Sequence, residues 1–332
     1  MQQGLTKLPA RTGRLRQAAT PAQPGDQQKN ERDAAHPQGR GRAAKGESLP
    51  MSATESIATR VAGDSRATSK APAATMPARH RRMPARFLDV PLHPYTMEET
   101  VAEVAAAMRE RRPLQHVALN VAKLVNLRKD AELRADVFGA DIVGIDGMGI
   151  VVGARLFGIA VPERVAGVDL MMRILRLCAD QGFRPYLLGA KPEVLAAAMA
   201  ELGRLHPDLQ IAGSQHGYFS AAEEAGVVAA IRDSGADCLF VAMPTPRKER
   251  FMAAHRAALG VPFVMGVGGS IDVLAGHVRR APAAWQNAGF EWLYRTLQEP
   301  RRMWRRYLTT NAAYAGLLAA ALLNRAIGRQ PH

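Results

Sequence analysis

The chain has 332 residues, 47% hydrophobic and 22% charged, enough for one large domain or two small ones with tails. Its net charge is +14, but only 5% of residues are aromatic and no helix-turn-helix, zinc-finger or aromatic RNA-binding motif is present, which argues against a nucleic-acid partner. Two cysteines and nine scattered histidines argue against a disulfide framework and against a Cys-based or HExxH-type metal centre.

The charge is unevenly placed. Residues 1–86 carry 16 Lys and Arg against 6 Asp and Glu, residues 87–275 carry 19 against 22, and residues 276–332 carry 9 against 2. A nearly neutral body thus lies between two basic segments, which suit a polyanion or an anionic membrane surface. The start of the chain shows no secretory h-region, and no run reaches the ~20 apolar residues of a spanning helix. The expected location is therefore cytoplasmic.

Residues 1–82 are rich in Gly, Pro, Ala, Gln and Arg and have hardly any aliphatic clusters. The expectation is a disordered basic extension, with Met83 as a candidate alternative start. From residue 83 to 275 the pattern alternates between helix and strand. A helix is predicted at 98–110, a strand at 116–120, a helix at 121–137 and a strand at 141–146. An amphipathic helix follows at 167–182, closed by Gly182, and then a strand at 184–190. The next helix, 191–206, has Pro192 in its first turn. Residues 208–219 read as strand then loop. Ser220 and Glu223 form a capping box for a helix at 220–235. A strand at 238–244, a helix at 246–260 and a strand running into the Gly-rich turn "GVGGS" complete the body. Short apolar strands alternating with helices predict an α/β fold, a Rossmann-like, mostly parallel sheet flanked by helices.

The loops after the strands gather the unusual chemistry: Asn120, Asp146, Gly189 with Lys191, "MPTPRKE" at 243–249 and "GVGGSID" at 266–272. Open α/β sheets bind ligands outside the carboxyl ends of their strands. Asp146 has two readings, a cap for the helix that follows it or a group in that crevice. Glu249 also has a plain reading, as a dipole partner in the first turn of its helix.

Residues 276–332 form a C-terminal basic helical appendage. All three Trp, at 285, 292 and 304, alternate there with Arg, and the apolar run from Tyr314 onward is too short to span a bilayer. One reading is an interfacial helix lying on a membrane, the other a helix packed on the domain. On the first, the run beyond Asn311 serves attachment and not chemistry.

Several blocks stand in a recognisable order: "LNVAKLV" at 119–125, "DGMGIV" at 146–151, "PERVAGVDL" at 162–170, "LLGAKPEV" at 187–194, "GYF" at 217–219, "MPTPRKE", "GVGGSIDVLAG" at 266–276 and "RRAPAAWQNAGFEWLYRTLQEPRRMWRRY" at 279–307. By these blocks the chain from about 86 to 310 resembles the WecG/TagA/CpsF glycosyltransferases, and looks closest to the branch that builds xanthan- and acetan-like exopolysaccharides. The resemblance implies an inverting hexosyltransferase that moves a sugar, glucose from UDP-glucose in that branch, onto a polyprenyl-diphosphate-linked sugar. It implies Asp146 as catalytic base, Asn120 as a lining residue and Arg164 near the donor diphosphate. It also implies Arg280, Arg295 and Arg301 as candidate phosphate contacts at the cytoplasmic face of the inner membrane. Two positions depart from the family's usual pattern: Ala118 where Thr is frequent, and Lys248 where Gln is frequent. Lys248 then contacts phosphate or marks a different donor sugar.

Residues 87–332 contain no DxD motif, so Arg and Lys are expected to stabilise the leaving diphosphate without a metal, and no cofactor is implied. On this reading the Arg cluster folds over the site only at the membrane. The rivals are an N-acetylmannosamine-type transferase acting on lipid-linked GlcNAc and a non-catalytic, sugar-nucleotide-binding membrane scaffold. A dinucleotide enzyme fits poorly, because the glycines of "GVGGSID" lack the GxGxxG order. A homo-oligomer is compatible with the sequence.

Overall fold

The computed structural model describes residues 83–327, so the expectation for 1–82 lies outside the described residues. The chain enters through a hairpin, β1 (Ala85–Phe87) and β2 (Val90–Leu92). Leu88 and Asp89 turn it with φ of 48° and 63°, the left-handed pair that a two-residue hairpin requires. No Gly marks this turn, and the sequence reading passes over it.

Six further strands build one parallel sheet: β3 (Leu114–Leu119), β4 (Ile142–Ile145), β5 (Pro185–Gly189), β6 (Gly213–Gln215), β7 (Cys238–Ala242) and β8 (Phe263–Gly266). Their order is β4-β3-β8-β7-β5-β6, every neighbouring pair parallel. Alternate residues feed two cores. Val117, Leu119, Val143, Ile145, Leu239 and Val241 face one side, and Leu114, Ile142, Phe240, Phe263 and Met265 the other. Burial on both faces explains why these strands read as continuous apolar runs.

The helices are α1 (Met97–Arg109), α2 (Val121–Leu127), α3 (Ala131–Phe138), α4 (Met148–Leu156), α5 (Gly167–Gln181), α6 (Pro192–Leu205), α7 (Ala221–Asp233), α8 (Arg247–Ala254) and α9 (Ser270–Leu274). α10 (Ala283–Asn287), α11 (Glu291–Gln298) and α12 (Pro300–Ala326) follow. Local signals account for several boundaries. Ser220 and Glu223 make the capping box of α7, and Pro192 opens α6. Gly182 closes α5 at φ 74°, a left-handed turn that favours glycine. Along α5, Leu170, Met171, Ile174, Leu175 and Cys178 are buried, the spacing of one helical face.

Three expectations are corrected. The helix predicted over 121–137 is two helices, because the Asp130 side chain accepts the Leu133 N–H at 2.9 Å and starts α3 anew. The strand within 208–219 shrinks to the three residues of β6. The run beyond Asn311 belongs to α12, and its Tyr314 is buried in the same core as α2 and α4. α12 packs along α2 and α11. Among the described residues no helix is long and apolar enough to cross a membrane.

Candidate active site

β3 and β4 end level with one another, Leu119 paired with Ile145. Asn120 and Asp146 therefore emerge side by side, and the Asp146 N–H donates to the Leu119 carbonyl at 3.0 Å. Asn120 caps α2, its Oδ1 accepting the Lys123 N–H at 3.0 Å, which leaves its amide NH2 as the donor for a ligand.

Asp146 does not cap the helix that follows it. Gly147 holds that N-cap position, with no side-chain hydrogen bond. Instead Asp146 Oδ1 accepts the Gly167 N–H at 2.8 Å, at the first residue of α5. The N-cap of α5 is Ala166, which has no side chain able to cap, so Asp146 fills that vacancy from another strand. Its Oδ2 makes no hydrogen bond among the described residues. The cap reading is thus corrected: the helix that Asp146 caps is α5 and not the one that follows it, with Oδ1 orienting the carboxylate.

Two guanidinium groups, Arg164 and Arg280, stand near it. Arg164 Nη1 donates to Glu291 Oε2 at 3.0 Å and lies 3.4 Å from the Asp146 carbonyl oxygen. Arg280 forks onto both oxygens of Asp169, in the first turn of α5. Burial pulls the Arg280 pKa down, but the bonds and charge of Asp169, with Glu291 and Asp146 beyond, outweigh it and raise the value. Arg295 reaches from α11 to the turn after β8, where a Cβ on Gly269 would lie 3.0 Å from its Nη2. The Nε atoms of Arg280 and Arg295 are both buried without a partner. Gly289, at φ 80°, brings the α10–α11 turn onto the loop after Asp146; a Cβ there would sit 3.2 Å from Met148 Cβ. Arg280 and Arg295 therefore lie near the strand-end crevice in this structure. Arg301 is exposed on the first turn of α12, with no ion pair to this group among the described residues.

The "PRKE" residues turn inward. Glu249 Oε1 binds Lys123 Nζ at 2.8 Å and Lys248 Nζ at 2.9 Å, and all three side chains are buried. Lys123 also donates to the Ala118 carbonyl at 2.7 Å, and Lys248 to the Thr245 hydroxyl. Burial pushes the Glu249 carboxyl up, yet the charges and hydrogen bonds of Lys123 and Lys248 together hold it below its ordinary value. The triad forms a floor under β3 and β8, where a Cβ on Gly266 would lie 3.3 Å from Lys248 Cδ. Ala118 stands beside Gly167 and Asp146, so the missing Thr hydroxyl is missing from the site itself. Gly189 is not brought to this group. It lies on β5, four strands from β4, about 19 Å at ~4.8 Å per strand. Its φ of 125° and its close approach to the Ala242 carbonyl explain the glycine.

Sequence reasoning missed Asp169 and Glu291, the carboxylates that hold Arg280 and Arg164. Both stand inside the ordered blocks that gave Arg164 and Arg295, and that was the only signal for them. It also missed Lys123, which a helical apolar pattern disguises as a surface residue.

A parallel α/β sheet with a fixed carboxylate and several guanidiniums at its strand ends has the Rossmann-like architecture whose ligands bind outside the carboxyl ends of the strands. A sequence model of the glycosyl transferase WecG/TagA/CpsF family matches residues 85–328, and the chain belongs to that family. It is a glycosyltransferase of cell-surface polysaccharide synthesis, and membership implies a sugar-nucleotide donor and a lipid-linked acceptor.

Proposed function

We propose that this enzyme transfers glucose from UDP-glucose, with inversion, onto a polyprenyl-diphosphate-linked sugar at the cytoplasmic face of the inner membrane, in exopolysaccharide synthesis. The observation that carries this reading is the Asp146 carboxylate, held through Oδ1 by the Gly167 N–H beside Arg164 and Arg280. Asp146 Oδ2 takes the proton of the acceptor hydroxyl as that oxygen attacks the anomeric carbon. The bond from that carbon to the diphosphate oxygen breaks, and the charge that develops on UDP meets Arg164, Arg280 and Arg295.

Glu291 and Asp169 pair with Arg164 and Arg280 in the structure. A diphosphate presents the same planar demand to guanidinium and can replace them or share the remaining N–H donors. Asn120 offers its amide to the sugar or the ribose. Lys248 and Glu249 support the floor of the site from below.

The test is transfer of radiolabelled sugar from UDP-glucose and from UDP-N-acetylmannosamine to defined polyprenyl-diphosphate sugars, with and without EDTA. Transfer from UDP-glucose that survives EDTA is expected. Transfer from UDP-N-acetylmannosamine alone overturns the donor, and activity that disappears with EDTA and returns with Mg²⁺ overturns the metal-free leaving-group step.

A further inference from the structure

α12 crosses two helices that each begin at a candidate site residue. Asn120 is the N-cap of α2, and Asp146 immediately precedes Gly147, the N-cap of α4. α12 packs along α2, and Tyr314, in its second half, reaches α4. Only 7% of Tyr314 is exposed, and its hydroxyl donates to the Gly149 carbonyl at 2.7 Å. Burial pushes the phenol above its usual range, so the hydroxyl stays a donor.

The receiving surface is a notch of two glycines four residues apart on one face of α4. A Cβ on Gly153 would collide with the Tyr314 hydroxyl and lie 2.7 Å from Phe87 Cζ and 3.3 Å from Leu318 Cδ2. A Cβ on Gly149 would lie 2.5 Å from Val121 Cγ2, the residue after Asn120. Gly153 thus leaves the room that the Tyr314 hydroxyl occupies, whereas a Cβ on Gly149 would meet the Tyr314 ring only in ordinary contact, 3.8 Å from Cε1, and collide with Val121 instead.

The stretch between Asp146 and this notch is weak by itself. Gly147 and Gly149 give it unusual backbone freedom, and it is the first turn of a helix whose N-cap has no side-chain bond. It is pinned at one end by the Asp146 N–H on Leu119 and at the other by Tyr314 on Gly149. We propose that Tyr314 is a positioning residue for sugar transfer, a brace through which the C-terminal helix holds the Asp146 loop in its reactive geometry. The inference rests on the reading of Asp146 as the base.

Two variants test it on the full chain, with a detergent-solubilised polyprenyl-diphosphate sugar and whichever of the two UDP-sugars supports turnover. Tyr314→Phe keeps the ring and loses the donor. Gly153→Ala keeps Tyr314 but displaces its hydroxyl, although Ala favours the helix. Each should lower kcat about three- to tenfold, the rate equivalent of one hydrogen bond, with KM for the donor unchanged. Hydrogen exchange should quicken in peptides covering residues 146–153 and stay as in wild type across β5 and β7. Wild-type kcat in both variants overturns the proposal. So does exchange that quickens throughout the chain, since that marks plain destabilisation. Asp146→Asn, run in parallel, separates the two ideas. If it keeps full turnover, the base assignment fails and the brace that serves it falls with it; if it loses turnover while Tyr314→Phe and Gly153→Ala keep wild-type kcat, the base stands and the brace alone is overturned.

Discussion

Glu249 binds two ammonium groups where solvent does not reach, and its second oxygen, Oε2, is buried without a partner. Breaking such a group from one side leaves uncompensated charge in low dielectric, so Glu249→Gln should destabilise the fold by about 3–5 kcal/mol in denaturant unfolding. A loss under about 1 kcal/mol would show that Lys123 and Lys248 find other partners. His116, in the middle of β3, is also fully buried, and neither ring nitrogen has a partner. Burial, then the charge of Lys123, then that of His93, lowers its pKa to about 3. The folded state therefore keeps His116 neutral while the unfolded chain takes up a proton below about pH 6.5. The stability from this site is complete above pH 6.5 and falls as the pH drops from there toward 3. Between about pH 7.5 and pH 5 the loss from His116 alone is about 2 kcal/mol. His116→Leu should show a correspondingly shallower acid slope in unfolding free energy. Parallel slopes for variant and wild type would contradict the assignment.

At the scale of elements, signals carried by one residue were legible and signals carried by packing were not. Gly182, Pro192 and the Ser220–Glu223 box mark helix ends from sequence because each acts on its own backbone. The parallel sheet was legible because each strand is buried on both faces. Tyr314 was not, since the reason for its burial lies 161 to 165 residues away, in the glycines of α4. Asp146 and Asn120 were legible as loop residues after strands, whereas Asp169 and Glu291 act only through partners from distant segments. Placing Tyr314 in the notch changes what truncation should do. A chain ending at Asn311 loses Tyr314, Leu317 and Leu318 from the body, so its turnover on a water-soluble acceptor analogue should fall, although the Arg cluster remains. A chain ending before Arg279 loses Arg280 and Arg295 as well and should have no transfer. Full activity of the shorter chain would place the whole site in the α/β body.

Across the whole molecule the charge is separated, with a nearly neutral body and a C-terminal segment carrying 9 basic against 2 acidic residues. Exposed on α12 are Arg301 and Arg305 together with Trp304, Leu308 and Leu323, and Ile327 is exposed just after it. Basic residues near an anionic bilayer contribute about 1 kcal/mol each within a Debye length, and a shallow apolar face adds to this without spanning. The full chain should therefore sediment with vesicles containing phosphatidylglycerol, less so as salt rises. Equal binding to vesicles of phosphatidylcholine alone would remove the electrostatic part of this account. Such attachment would bring a lipid-linked acceptor to the crevice where Asp146 stands among Arg164, Arg280 and Arg295. The measurement that bears most directly on the account is kcat for Asp146→Asn in the transfer assay. Asn retains an oxygen for the Gly167 N–H, so the fold should be kept and only the base lost. A folded variant with kcat reduced about 10²-fold or more is the predicted result, the scale of a positioned general base. A folded variant with wild-type kcat would contradict the account.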